Sequence, residues 1–243
     1  MSTITSRSII GEIVAGDYRT AAVFKHYGID FCCNGQRTIA DACKSKNIHT
    51  AQLLTDLSQV PSLTADTETD YNAWPLDLLT RHIEQKHHQY VEKKILEIRP
   101  YLEKIVRVHS DQHPELVAIE HLFNESAREL AMHMKKEELV LFPFIRRMAL
   151  AAEHQEPLPV PPFGTVENPI AMMQHDHDAE GERFRRIAAL SNNYTPPEDA
   201  CNTYRVTFAL LKEFEEDLHL HIHLENNILF PKAIQLEQGA EAH

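Results

Sequence analysis

Two stretches of the chain repeat one another: His133-Met-Lys-Lys-Glu137-Glu-Leu-Val-Leu-Phe-Pro143 and His221-Ile-His-Leu-Glu225-Asn-Asn-Ile-Leu-Phe-Pro231. Each carries a histidine, a glutamate four residues on, and Leu-Phe-Pro beginning eight residues after the histidine. On an α-helix, positions i and i+4 share a face with Cβ atoms roughly 6 Å apart, so each copy offers an imidazole and a carboxylate to one point in space. That is a metal-ligand geometry.

Both pairs are expected to point inward. At ~100° per residue, Leu210, Phe214, Leu218, Glu225 and Ile228 fall within about 60° of His221, while His219 and His223 lie on the opposite side. Around His133 the same rotation collects Ile119, Leu122, Ser126, Leu130, Glu137, Val140 and Phe144. Burying these imidazoles and carboxylates without a partner is costly, so a positive charge is expected between them.

The helices needed to carry these groups can be read from their end signals. Pro75 suits the first turn of a helix running to about His109, which holds His82, His87 and His88. His87 lies nearest the centre of an apolar face, His88 at its edge, and the helical geometry leaves the choice between them open. Pro114 opens a second helix, which passes through Pro143; that proline and its twin Pro231 are expected to kink their helices beyond the site. A proline-rich crossover spans about His154 to Asn168, and Asn168-Pro169 signals a third helix whose apolar row includes His177. His175 is turned about 200° away, towards solvent. The fourth helix is expected from about Glu198 to the last ten residues. Counted from His88, the single histidine precedes the paired one by 45 residues in the first hairpin and by 44 in the second. A duplicated hairpin of this kind predicts an all-α four-helix bundle with a pseudo-twofold metal site in its core.

Four imidazoles and two carboxylates are too many for a tetrahedral zinc site, and there is no His-Glu-x-x-His motif. Two metals sharing the glutamates would each receive two histidines and two carboxylate oxygens, a donor set that favours iron, with manganese second. The order His-x-x-x-Glu also differs from the Glu-x-x-His of ferritin-like sites.

Residues 1–60 read as a small helical N-terminal domain. Ile9 to Val14 and Thr20 to Tyr27 have short helical patterns, and Gly28 ends the second. Asp30-Phe-Cys32-Cys33-Asn-Gly35 follows, and Thr38-Ile-Ala-Asp41 is a capping box for the next helix. Cys32 and Cys33 are either small packing residues or functional thiols, their pKa lowered by the helix start and Arg37. A disulfide between neighbours would be strained, so functional thiols here would be reactive or metal-binding. Cys43 and Cys201 read as structural. Residues 61–73, rich in Pro, Ser, Thr, Asp and Glu, read as a linker, and 74–243 as the bundle.

The chain has 243 residues, 16 histidines, 7 glycines, 4 cysteines and a net charge of −12. The acidic balance argues against nucleic acid or an anionic membrane surface as main partner. With no signal peptide or membrane span apparent and adjacent thiols, a reducing, cytoplasmic location is expected.

Taken together, Asp30 to Gly35, His87-His88, His133 to Glu137, His177-Asp178 leading to Gly181-Glu182, and His221 to Asn227 resemble the hemerythrin-like repair-of-iron-centres family, over nearly the whole chain. The resemblance implies a hemerythrin-like bundle with a non-haem di-iron centre, oxo- or hydroxo-bridged. It places the first ligand at the second histidine of the pair, His88, joined by His133, His177 and His221, with Glu137 and Glu225 bridging. It implies repair of iron-sulfur clusters damaged by nitric oxide or oxidants, through iron donation to the damaged protein, and suggests a homodimer. As soft ligands, Cys32 and Cys33 would receive or relay the metal, or interact with nitrosylated iron. The alternatives are a di-iron enzyme reducing nitric oxide at open metal positions, and a gas sensor whose N-terminal domain moves on binding; which activity dominates, and whether it counts as an enzyme, is open.

Overall fold

Few glycines and few alternating β-branched runs favour helix. The computed structural model describes residues 4–60 and 70–241; among them it contains helices and turns, and no strand beyond one antiparallel bridge between Ile9 and Thr38. No described helix is long and apolar enough to cross a membrane.

Four short helices come first: α1 (Ile10–Gly16), α2 (Thr20–His26), α3 (Ile39–Lys46) and α4 (Thr50–Ser58). They close over Ile10, Val14, Phe24, Ile39 and Leu53, all buried. Gly28 takes φ +62°, the left-handed conformation that lets the Ile29 N–H turn back to the Phe24 carbonyl at 2.9 Å and end α2. The capping box forms: the Thr38 hydroxyl accepts from the Asp41 N–H at 3.1 Å. The linker expected at 61–73 lies mostly outside the described residues. Its last part is a docked 3-10 turn, Tyr71–Ala73, in which Asn72 Nδ2 donates to the Ala15 carbonyl at 2.7 Å and Lys232 Nζ donates to the Asn72 and Trp74 carbonyls at 2.8 and 2.7 Å.

The bundle has four long helices, three of them interrupted. The first is α5 (Leu76–His82), a π-helical segment Ile83–His88, and α6 (Gln89–His109). The second is α7 (Glu115–Lys136), a π segment Glu137–Leu141, and α8 (Phe142–Glu153). The third is α9 (Glu167–Leu190), and the fourth is α10 (Asn202–Leu224), a π segment Glu225–Leu229, and α11 (Phe230–Glu241). The first helix packs on the second and fourth, the second also on the third, and α1 lies along the fourth.

Where kinks are expected from Pro143 and Pro231, each helix carries a π turn just before the proline. The Phe142 N–H bonds to the Glu137 carbonyl and the Phe230 N–H to the Glu225 carbonyl, five residues back instead of four. A fresh α-helix then starts at Phe142 or Phe230 with its proline in the first turn, where a missing N–H is harmless.

Two helix starts differ from expectation. The third begins one residue before Asn168, because the Glu237 carboxylate, not Asn168, accepts the Val166 N–H at 3.0 Å. The fourth begins at Asn202, since Pro196 and Pro197 precede a turn that keeps residues 198–201 outside the helix.

The core divides into two apolar clusters. One spans the N-terminal domain and the bundle end containing Ile98, Leu116, Ile187 and Leu211; the other holds Leu79, Phe144, Ile170 and Phe230. On all four bundle helices buried polar residues fall at or beside the changeover from one set to the other: His88, then His133 and Glu137, then His177, then His221 and Glu225.

Candidate metal centre

The polar layer is closed to solvent. The side chains of His88, His133, Glu137, His177, His221 and Glu225 are between 0 and 4% exposed. Their ligand atoms form two four-residue groups, His88/Glu137/His221/Glu225 and His133/Glu137/His177/Glu225, each with one atom per residue mutually within 4.8 Å. Both glutamates belong to both groups. Glu137 Oε2 stands 3.4 Å from His88 Nε2 and 3.4 Å from His133 Nε2; Glu225 Oε1 is 3.0 Å from His221 Nε2 and its Oε2 3.0 Å from His177 Nε2.

Protein groups alone leave this layer unsatisfied. Among the described residues, His88 Nε2, both oxygens of Glu137 and Oε2 of Glu225 are buried without a properly oriented hydrogen bond. His133 Nε2 and His177 Nε2 face each other at 3.1 Å. Two ring nitrogens can satisfy one another only if one is protonated, whereas two ligands at right angles around an ion with bonds of ~2.1 Å sit about 3.0 Å apart. The six side chains therefore fit a pair of cations.

The outward ring nitrogens fix three of the four imidazoles. His88 Nδ1 donates to Glu138 Oε1 at 3.0 Å, and Glu138 is held by Lys135 at 2.6 Å. His133 Nδ1 pairs with Asp176 Oδ2 at 3.3 Å, itself held by Lys136 at 2.9 Å. His177 Nδ1 donates to Asn226 Oδ1 at 2.9 Å, and Asn226 Nδ2 donates to the Cys32 carbonyl at 3.2 Å. Such outer partners set the tautomer that leaves Nε2 free for a metal.

Electrostatics follow the same pattern. Burial alone would lower His133, but Glu137, Asp176 and Glu225 outweigh it and raise the group to about 10. Burial and the facing Glu225 push Glu137 up, yet His133 and His88 hold it below the ordinary carboxylate range. Burial lowers His221 despite its contact with Glu225. A buried site kept anionic at its carboxylates attracts cations.

The choice between the paired histidines is resolved by where each ring goes. His88 faces Glu137; His87, also buried, pairs through Nδ1 with Asp217 at 3.1 Å and stacks on His221 at 5.4 Å. His175 is exposed. His219 and His223, opposite the site, lie beneath the N-terminal domain: His223 is buried against Tyr18 and Phe31, and His219 meets Phe31.

Cys32 and Cys33 stand beside the centre, outside it. Their Sγ atoms are 3.8 Å apart, both are free thiols, and Cys33 Sγ donates to the His177 carbonyl at 3.4 Å. Asp30 Oδ1 accepts from the backbone N–H of Cys32 and Cys33 at 3.1 and 3.0 Å, and Asp30, Cys32 and Cys33 form a separate cluster of potential ligands. A polar cavity of about 170 Å³ lies between the thiols and Gln174, Asp178 and Asn226. The expected lowering of a thiol pKa is overturned for Cys32: the neighbouring Cys33 thiol, burial and Asp30 raise it well above its ordinary value. Arg37 turns its guanidinium to the Asn34 carbonyl, and α3 begins only at Ile39. Cys43 is buried as expected of a structural residue, whereas Cys201 is exposed, 3.3 Å from His109 Nε2.

Glu138, Asp176, Asn226 and the His87–Asp217 pair were not singled out from sequence. The only available signal was adjacency: three of them directly flank Glu137, His177 and Glu225.

A four-helix bundle carrying inward histidine and glutamate pairs at matched positions is a hemerythrin-type cation-binding protein. Residues 79–233 match the family described as hemerythrin HHE cation binding domain, and residues 6–60 match a domain of unknown function, DUF542. The chain is 33% identical over 228 residues to the iron-sulfur cluster repair protein YtfE of Musicola paradisiaca, covering 94% of this chain and 96% of that one. It is 34% identical over 232 residues to YtfE of Dickeya chrysanthemi (94% and 97% covered), and 29% over 231 residues to the iron-sulfur cluster repair protein ScdA of Staphylococcus haemolyticus (94% and 99%). The chain belongs to this family of iron-sulfur cluster repair proteins.

Proposed function

We propose that the chain restores damaged iron-sulfur clusters by giving up iron held between His88, His133, His177, His221, Glu137 and Glu225. The observation that carries this reading is the pair of buried His₂Glu₂ groups sharing both carboxylates. It is joined by the relatives' shared description as iron-sulfur cluster repair proteins. Mixed imidazole and carboxylate donors suit iron, which when bound there would supply a store of metal for a cluster that has lost its own. Four protein donors per ion, two of them shared, would hold such a store more loosely than a fully coordinated site, so that a competing acceptor could draw it out. The partner is a damaged iron-sulfur protein.

Cys32 and Cys33 supply soft ligands beside His177, and we assign them the relay of metal. Simultaneous Cys32→Ala and Cys33→Ala substitution is expected to lower repair while leaving bound iron unchanged. Full repair by that variant would remove the thiols from the pathway.

The test is anaerobic metal analysis of the purified chain, then incubation of the loaded protein with a nitric-oxide-damaged cluster enzyme in the presence of a chelator that captures free iron. Recovery of the enzyme with matching loss of iron from this chain is the expected result; recovery without such loss would overturn donation.

A further inference from the structure

Among the described residues, ring contacts lead out of the metal layer at three places. Two of them stop at once in a buried phenylalanine: His88 lies 5.7 Å from Phe142 and His177 lies 6.1 Å from Phe230, centroid to centroid. The third continues. His87 stacks on His221 at 5.4 Å, 11° from parallel, and its Nδ1 is tied to Asp217 at 3.1 Å. His82 meets His87 edge to face at 5.8 Å, and Trp74 and Tyr71 meet His82 at 5.1 and 5.3 Å. Trp74 and Tyr71 touch each other at 5.0 Å, and both are partly exposed. All these separations fall in the range of packed aromatic pairs, so an unbroken file of rings joins a candidate metal ligand to the surface.

The outer end of the file differs in chemistry from the two dead ends. Phenylalanine and imidazole are hard to oxidise by one electron, whereas indole and phenol give one up readily with loss of the N–H or O–H proton. Trp74 is the only tryptophan in the chain. An inlet for electrons needs no oxidisable side chain at its mouth; an outlet for oxidising equivalents does. Electron transfer weakens steeply with the gap to be crossed, and rings in contact divide that gap into short steps. The mouth is also held in place: Lys232 Nζ binds the Asn72 and Trp74 carbonyls, and Asn72 Nδ2 binds the Ala15 carbonyl. Cys33, an oxidisable thiol, borders His177, so the file leaves the layer from a different ligand.

We propose that Trp74, with Tyr71 beside it, is the outlet through which oxidising equivalents leave the metal centre, by way of His221, His87 and His82. This rests on the iron reading of the site and adds a protective redox function to it. The oxidant is a hydroperoxide, whose reduction breaks the O–O bond, forms two O–H bonds and takes up two electrons and two protons. Where a single ferrous ion is present, one electron comes from it, leaving it ferric, and the other comes from Trp74. Trp74 passes its indole proton to solvent and is left as a neutral radical. A dissolved one-electron reductant of the ascorbate class then returns the electron, and solvent returns the proton.

The full-length chain, carrying a single equivalent of ferrous iron and freed of unbound metal by gel filtration, is mixed with hydrogen peroxide and freeze-quenched for electron paramagnetic resonance. The expected result is an organic radical whose hyperfine pattern narrows when the chain is made with ring-deuterated tryptophan. Trp74→Phe combined with Tyr71→Phe should keep the bound iron and lose the radical. Peptide mass spectrometry of that variant should then find added oxygen on the histidines of the metal layer and on Cys33 that the native chain lacks. His82→Leu, which gives up no hydrogen bond at the buried and unpartnered Nε2, should keep both iron and Trp74 yet lower the radical yield. No radical from the iron-loaded native chain, a pattern indifferent to deuterated tryptophan, or an undiminished yield in His82→Leu would overturn the outlet while leaving iron donation intact. A chain that takes up no iron would remove both.

Discussion

Of the imidazoles in the polar layer, His133 has the charge state most altered by its surroundings. With its pKa raised to about 10, it is protonated in the metal-free chain at neutral pH. A cation arriving at Nε2 must displace that proton. Metal uptake near pH 7 is therefore expected to release at least about one proton per chain, with apparent affinity rising roughly tenfold per pH unit for each proton displaced. Calorimetry in buffers of different ionisation enthalpy measures this directly. By linkage, the raised group adds stability to the metal-free chain that is complete below its ordinary 6.5 and lost as pH rises through about 10. The shared carboxylates give a second residue-scale outcome. Glu225→Ala removes a donor common to both groups and should reduce bound iron from about two per chain to well below one, whereas His88→Ala should leave about one, by elemental analysis. The His133 and Glu137, and His221 and Glu225, pairs were legible in the sequence because helical spacing alone puts each pair on one face. Their outer partners were not, because Asp176 and Asn226 act across helices and nothing in a single helix marks which neighbour they meet.

At the scale of elements, the fourth bundle helix is buried on two sides. One face carries His221 and Glu225; the other, with His219 and His223, is covered by the N-terminal domain. Burial lowers His219 to about 4 and His223 to about 3. Both folded values lie below the ordinary 6.5, so the unfolded chain takes up protons that the folded one refuses, and this contribution to stability falls as pH drops from 6.5 towards 4. Glu215, raised to about 7 by burial, works in the opposite direction between 7 and 4.5. The histidine contribution is therefore read as a difference: the melting temperature of His219→Gln/His223→Gln should lose less than that of the native chain on acidification from pH 6.5 to 4. The docked loop is equally demanding. A Cβ at Gly35 would overlap the Phe31 backbone carbonyl and crowd Asn227 Oδ1, so Gly35→Ala is expected to destabilise the chain by about 1–3 kcal/mol, measured by denaturant titration. A helical wheel placed His219 and His223 correctly on the far face. That the far face is itself covered depends on long-range packing of residues 4–60, which no local pattern encodes.

Across the whole molecule, a polar layer divides the bundle core, and the bundle's stability and its metal content should be linked. Ions that bind only the folded chain stabilise it, so removal of iron by a strong chelator is expected to lower the melting temperature, and re-addition of ferrous iron to restore it. The duplicated hairpin made the architecture readable, since two copies of one motif fix both the number of long helices and the face that each turns inward. The π turns were not readable, because a uniform rotation per residue has no term for a local change in pitch. Each is in effect one surplus residue: it lets the stretch before it aim a ligand inward and the Leu-Phe-Pro stretch after it also aim inward, although a continuous α-helix would rotate one of them away by about 100°. The surplus falls at Glu137 in one half and at Glu225 in the other, whereas Ile83–His88 has no counterpart within α9. The matched pair of bulges follows the internal repeat of the two hairpins, and the unmatched one marks where the first hairpin departs from the second.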